Sequence, residues 1–254
     1  MRLRLFLAAL ACSLAAAQFA LAEDFRVETR VFEVKEKSKD KTPLCQNITL
    51  FHAGKVYDYL AEPPEIVVFD KANGRFVLLD PVRKLRTDVS ANQVLVFCGE
   101  LRSWAVNEAN GLLKFSGNPR FAVQFAEKSN ELTMASEFMT YKLLVTEART
   151  RDAAHQMREF SDWYARLNAL TNAGGLPPFP RLAVNEELDR RGFVATAVEL
   201  NILSRNVSIR SEHELEWRLL DRDLKRISDT NEQIVNFKSG NFGEFMRRAQ
   251  TAKR

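Results

Sequence analysis

Short apolar runs, separated at near-even intervals by turn residues, dominate the chain from Asn47 to Val89. Residues 48–52, 55–60, 65–69, 75–79 and 84–89 predict successive strands. Between them stand Ala53-Gly54, Pro63-Pro64, the run from Asp70 to Gly74, and Asp80-Pro81. Apolar runs bounded by Gly, Pro, Asn and Asp predict an antiparallel meander. Read at period two, Val56 and Leu60 share a side with Asp58, and Tyr57 and Tyr59 share the other. Phe76 and Leu78 oppose Val77 and Leu79. Together with Phe69, these positions predict central strands apolar on both faces, each covered by another layer or lining an apolar cavity. The last strand alternates cleanly, with Leu85, Thr87 and Val89 in and Lys84, Arg86 and Asp88 out, as a half-exposed strand does.

Upstream, residues 25–34 alternate with Phe25, Val27 and Thr29 against Arg26, Glu28 and Arg30. Val31 breaks that phase, which predicts a bulge. The charged run 35–41 reads as a solvated loop.

After the meander the period changes. Ser90 with Gln93 forms a capping box, and Val94, Phe97, Cys98, Leu101 and Ala105 follow at helical spacing, predicting a helix over 90–107. A second short helix is expected over 118–128, with Phe121, Phe125 and Ala126 inward, then strands over 131–135 and 140–145. The strongest stripe, Ala153, Met157, Phe160, Tyr164 and Leu167, predicts a helix from Thr150 or Arg151 to about residue 171, stopped by Gly174-Gly175 and Pro177-Pro178. The segment LPPFPRL reads as a loop covering a sheet edge, and 185–191 as a short polar helix. Residues 193–200 and 207–217 look extended, and 221–237 a last helix with Leu224, Ile227, Ile234 and Phe237 apolar. The end of the chain is expected to fray or close in a helical turn. The fold class predicted is α+β: a curved antiparallel sheet, half-barrel-like, with amphipathic helices packed on one face.

The first residues change the picture of where this domain works. Arg2 and Arg4 precede an apolar stretch from Leu5 to Ala17, and Ala20-Leu21-Ala22 is a small-x-small site followed by Glu23-Asp24. This pattern predicts a secretory signal peptide, residues 1–22, cleaved after Ala22, and hence a periplasmic or secreted protein. Lipidation at Cys12 and an uncleaved anchor are the alternatives. Cleavage removes two arginines and no acid, so the formal charge falls from +4 to +2. A near-neutral chain makes no case for nucleic acid as a partner, and no further run predicts a transmembrane anchor after cleavage. A single α+β domain is expected over 23–238, followed by a basic tail over 239–254. Cys45 and Cys98 remain; an exported chain with two cysteines can join them in a disulfide, or bury them as separate thiols.

Candidate chemistry is sparse. His52, His155 and His213 stand in no HxxxH spacing, and no CxxC or GxSxG occurs, so no metal, no cofactor and no nucleophile is expected. Asn47-Ile48-Thr49 and Asn206-Val207-Ser208 match glycosylation acceptors by chance. Asp58, Asp70 and Asp80 fall in or beside neighbouring strands, and paired carboxylates can do acid–base work. Turn formation before Gly74 and Pro81 accounts for Asp70 and Asp80 without it.

The stretch YDYLAEPPEIVVFDKANGRFVLLDPVRKLRT resembles the sheet of the periplasmic lipoprotein-carrier superfamily. That resemblance implies a half-barrel with helices in its concave side. FSDWYARLNAL with LPPFPRLAVNEEL is similar to an uncharacterised family of exported bacterial proteins of planctomycete type, which implies no particular activity. The expected function is an exported, non-enzymatic binding protein for an apolar or lipid-like ligand between sheet and helices. Phe69, Phe76, Leu78, Phe97 and Leu101 are the candidate lining, or else the fill of a dry core. The alternatives are an envelope interaction module, docking a partner protein by a sheet edge or LPPFPRL, and a hydrolase using the meander carboxylates.

Overall fold

The structure, a computed structural model, describes residues 23–34, 42–172 and 174–251. The expected signal peptide, Cys12 and the charged loop 35–41 lie outside the described residues.

Each turn signal in the meander becomes a chain reversal. Strands β1 (Phe25–Glu33), β2 (Cys45–His52), β3 (Lys55–Leu60), β4 (Glu65–Asp70), β5 (Arg75–Asp80) and β6 (Leu85–Ser90) pair antiparallel in sequence order. Ala53-Gly54 turns β2 into β3 with φ of 49° and 73°, the left-handed pair that matches strand twist. Ala53 adopts this despite its Cβ, and its N–H donates to Asp24 Oδ1 at 3.2 Å. Gly74 (φ 57°) closes the tight turn after β4.

The second half folds to the other side of β1. Strands β7 (Ala122–Ala126), β8 (Glu131–Ala135), β9 (Thr140–Glu147), β10 (Phe193–Ile202) and β11 (Val207–Glu216) continue the ladder, and β12 (Lys238–Ser239) adds a short parallel strand on β6. The described strands form one twelve-stranded sheet, ordered β12-β6-β5-β4-β3-β2-β1-β11-β10-β9-β8-β7. It is curved and unclosed, so the fold is α+β with a half-barrel-like sheet.

Among the described residues, six helices pack on it: α1 (Ala91–Val106), α2 (Gly111–Gly117), α3 (Arg151–Thr171), α4 (Phe179–Arg191), α5 (Asp221–Asn236) and α6 (Phe242–Thr251). The capping box at Ser90 and Gln93 starts α1. One face of the meander, with Val56, Val67, Phe69, Phe76, Leu78 and Val89, packs against Val94 and Cys98 of α1 and Phe160 and Leu167 of α3. The other face, with Leu50, Tyr57, Ile66, Val68, Val77 and Leu79, packs against Ile227 of α5. The two-sided apolar strands are thus covered on both sides. Buried Arg26 and Asp223 approach to 3.6 Å beneath α5.

Several local expectations give way. Residues 118–128 are not a helix: the helix is α2, and Ala122–Ala126 is edge strand β7. Phe121 and Phe125 are four apart, a spacing that lies on one face of a helix and also of a strand. Strand β1 runs without a bulge, and the register shift falls in β10 between Ala195 and Ala197. Helix α4 begins at Phe179, not Asn185, because a proline is tolerated in a first turn. The LPPFPRL segment therefore ends inside a helix, with Phe179 and Pro180 buried. Part of the expected basic tail, from residue 242 to 251, is α6; its Phe245 is buried in the core, and Arg83 Nη2 donates to the Phe245 carbonyl at 2.7 Å. Cys45 and Cys98 are free thiols, Cys45 half-buried on β2 and Cys98 buried on α1, so they stand as separate thiols and not as a disulfide.

Candidate functional site

Helices α3 and α4 do not press flat on the centre of the sheet. They roof a cavity of about 420 Å³ over β1, β2, β10 and β11. Side chains that alternate along β1 supply one wall, where Val27, Thr29 and Val31 all face in. The α3 stripe supplies the roof with Met157, Phe160 and Tyr164. Its outer members, Ala153 and Leu167, are buried in the core.

The five residues expected to line a ligand space lie elsewhere. Phe69, Phe76 and Leu78 are in the packed core, with Phe69 and Phe76 stacked at 4.9 Å and both against Trp163. Phe97 packs partly buried against that core, and Leu101 is half-buried on α1. None of the five lines the cavity, which lies under α3 and α4 and not under α1. The reason is steric: where large rings meet α1 and α3 they interlock and leave no space.

Polar groups converge on the cavity in pairs. Asp58 is 1% exposed and accepts from Asn47 Nδ2 and Thr49 Oγ1, both at 2.6 Å. Tyr164 hydrogen-bonds the same carboxylate. Burial pushes the Asp58 carboxyl up, against those three hydrogen bonds. Of the three meander aspartates, Asp58 bonds residues that line the cavity. Asp70 holds Asn73 at 2.8 Å and Arg75 at 3.4 Å, and Asp80 holds Arg83 at 2.7 Å, all within hairpin turns.

Across the cavity, Arg158 Nη1 donates to Asp189 Oδ2 at 2.9 Å, joining α3 to α4. Asn185 Nδ2 donates to Asp162 Oδ1 at 2.9 Å, a second link between the same helices. Burial pushes the Asp162 carboxyl up.

His213, which the sequence reading leaves as an ordinary histidine, lines the cavity from β11. Its Nδ1 shares a hydrogen bond with Thr29 Oγ1 at 3.0 Å and its Nε2 one with Ser211 Oγ at 2.9 Å. Burial, helped by the charge of Arg181, pulls its pKa down to about 4, so the ring is neutral near pH 7. Both ring nitrogens are thus occupied. Cys45 also lines the cavity, but burial and then Asp58 push its thiol up, away from the thiolate a nucleophile needs.

Arg181 stands apart from these pairs. It projects into the cavity from the first turn of α4, and among the described residues its guanidinium makes no hydrogen bond or ion pair. Burial draws its pKa below the ordinary arginine range; the charges of Tyr141 and Asp162 oppose this. The site joins an apolar wall, polar groups paired with one another, the buried Asp189 Oδ1 without a hydrogen bond, and, among the described residues, one cation outside these pairs. Sequence reasoning missed Arg181 and His213; the proline at the start of α4 was the one signal that could have put Arg181 on a helix. No family model matches this chain, and no curated protein matches it in sequence.

Proposed function

We propose that this chain is an exported, non-enzymatic binding protein that holds an apolar or lipid-like ligand between the sheet and helices α3 and α4. The cavity carries this reading. Protein interiors pack at a density of about 0.75, with few voids larger than a water molecule. A space of about 420 Å³ walled by Val27, Val31, Phe51, Met157 and Phe160 is larger than a packing flaw, and it falls in the roughly 300–1,000 Å³ range of small-ligand sites. The satisfied His213 and the raised Cys45 thiol support binding over catalysis. Export rests on the signal-like sequence of residues 1–22. A curved, unclosed, half-barrel-like sheet with helices packed on it is compatible with kinship to the lipoprotein-carrier superfamily.

Native mass spectrometry of protein purified from the periplasm tests this. A bound apolar molecule, lost when Ala154 or Ala195 is enlarged to Phe, is the expected result. A bare polypeptide mass that takes up no added amphiphile overturns it.

One observation favours a second reading, an envelope interaction module. Among the described strands β7 ends the sheet, paired with β8 alone, and it exposes Val123 at 40%. An open strand edge can add a partner strand. If a Val123→Lys change abolishes a co-purifying partner while the cavity variants do not, this second reading replaces the first.

A further inference from the structure

We propose that the cavity takes a carboxylate amphiphile, with its head on the guanidinium of Arg181 and its apolar body along Val27, Val31, Met157 and Phe160. This rests on the reading that the cavity binds a ligand, and goes further by naming the head group.

The argument starts from a charge without a partner. Taking a guanidinium out of water costs several kcal/mol unless an anion and hydrogen bonds replace the solvent. The other ions around this cavity, part-exposed Arg158 among them, are partnered within the protein. Arg158 is 2.9 Å from Asp189 and 3.9 Å from Asp162. Asp162 also receives Asn185 at 2.9 Å and faces Arg166 at 3.9 Å. Asp58 takes Asn47 and Thr49 at 2.6 Å. Arg181 feels Asp162, yet among the described residues no carboxylate comes within ion-pair distance of it. Arg181 thus lines the cavity with, among the described residues, no carboxylate or hydrogen-bond acceptor engaging its guanidinium.

The sign and size of the missing charge follow. One unpaired cation matches one negative charge. Asp189 lines the same space, and Asp58 and Asp162 stand just behind it, bonded to the lining residues Asn47, Thr49 and Asn185, so a doubly charged head would stand near carboxyl groups. A cationic head would meet Arg181 itself. The planar fork of arginine fits a carboxylate with two parallel hydrogen bonds. The neighbouring His213 is neutral and saturated by Thr29 and Ser211, and so supplies no second cation.

Calorimetric titration of the purified protein with decanoate, methyl decanoate, decyl phosphate and decyltrimethylammonium tests the proposal. Wild type is expected to bind decanoate about ten- to a hundredfold more tightly than the ester, the range of a hydrogen-bonded charge pair. Arg181→Met should abolish that preference and leave ester affinity within about twofold. Arg181→Gln serves the same test if the Met variant does not fold. An NMR titration should show the His213 imidazole titrating at higher pH with decanoate bound, but not with the ester, because the carboxylate cancels the charge of Arg181. Undiminished decanoate preference in both variants overturns the proposal, as does tighter binding of the phosphate or the ammonium. Failure of every amphiphile, the ester included, would instead bring down the binding reading itself.

Discussion

Arg158 Nη1 lies 2.9 Å from Asp189 Oδ2, and this pair clamps α3 to α4 directly above the cavity. Asp189 also accepts from Arg151 through its backbone carbonyl, and Arg151 Nη2 stands 3.5 Å from Oδ1. One acidic side chain on α4 thus holds two cations of α3.

Removing that carboxylate leaves Arg158 partly exposed, able to rehydrate. Asp189→Ala is therefore expected to cost about 1–2 kcal/mol, less than a fully buried pair. Urea unfolding reads the loss, and amide exchange should rise in α4 more than in α1. An unchanged midpoint would show the clamp to be idle.

On the opposite face, Arg26 and Asp223 are each 4% exposed at the side chain and 3.6 Å apart. Asp223 Oδ2 also accepts from the N–H of Leu220 at 3.0 Å, closing the first turn of α5. Asp223→Ala should cost about 2–4 kcal/mol, since it leaves the buried Arg26 guanidinium to the part-exposed Glu28, 3.2 Å away, and removes a cap. The double change Arg26→Met with Asp223→Leu should recover at least half of that loss. A double variant no more stable than Asp223→Ala would contradict this account.

His213 makes stability fall in mild acid. Its folded pKa of about 4 lies below the 6.5 of an unperturbed histidine. Between those values the unfolded chain binds the proton and the folded chain does not, so protons favour unfolding. The stability is whole above pH 6.5 and is lost as pH falls toward 4, by at most roughly 3 kcal/mol, less where cavity water reaches the ring. His213→Asn should flatten this part of the pH profile. A slope that persists in the variant would assign it to other groups.

Helix α2 meets α1 at a glycine. A Cβ on Gly117 would lie 2.8 Å from Val106 Cγ1 and 3.0 Å from the Val106 backbone nitrogen. Gly117→Ala is expected to cost about 1–3 kcal/mol by overpacking. Adding Val106→Ala should relieve only part of it, because the backbone contact stays. Thermal unfolding of the single and double variants measures both effects.

The sequence by itself determined what depends on near neighbours along the chain. The five meander strands, their turns at Gly54 and Gly74, the Ser90–Gln93 cap and the two-sided apolar text were legible because period and turn chemistry act over a few residues. It did not distinguish Phe121 and Phe125 on a strand from the same pair on a helix, since both periods accept a spacing of four. Where space is left in the core was decided by tertiary structure alone. Met157, Phe160 and Tyr164 repeat at helical spacing whether they meet a packed sheet or roof a cavity. Arg181 reads like any arginine after a proline; that it makes no ion pair among the described residues follows from Asp162 and Asp189 being engaged by Arg158 of α3. Pairing of charges depends on distances between residues far apart in the chain, and only the folded packing sets those distances.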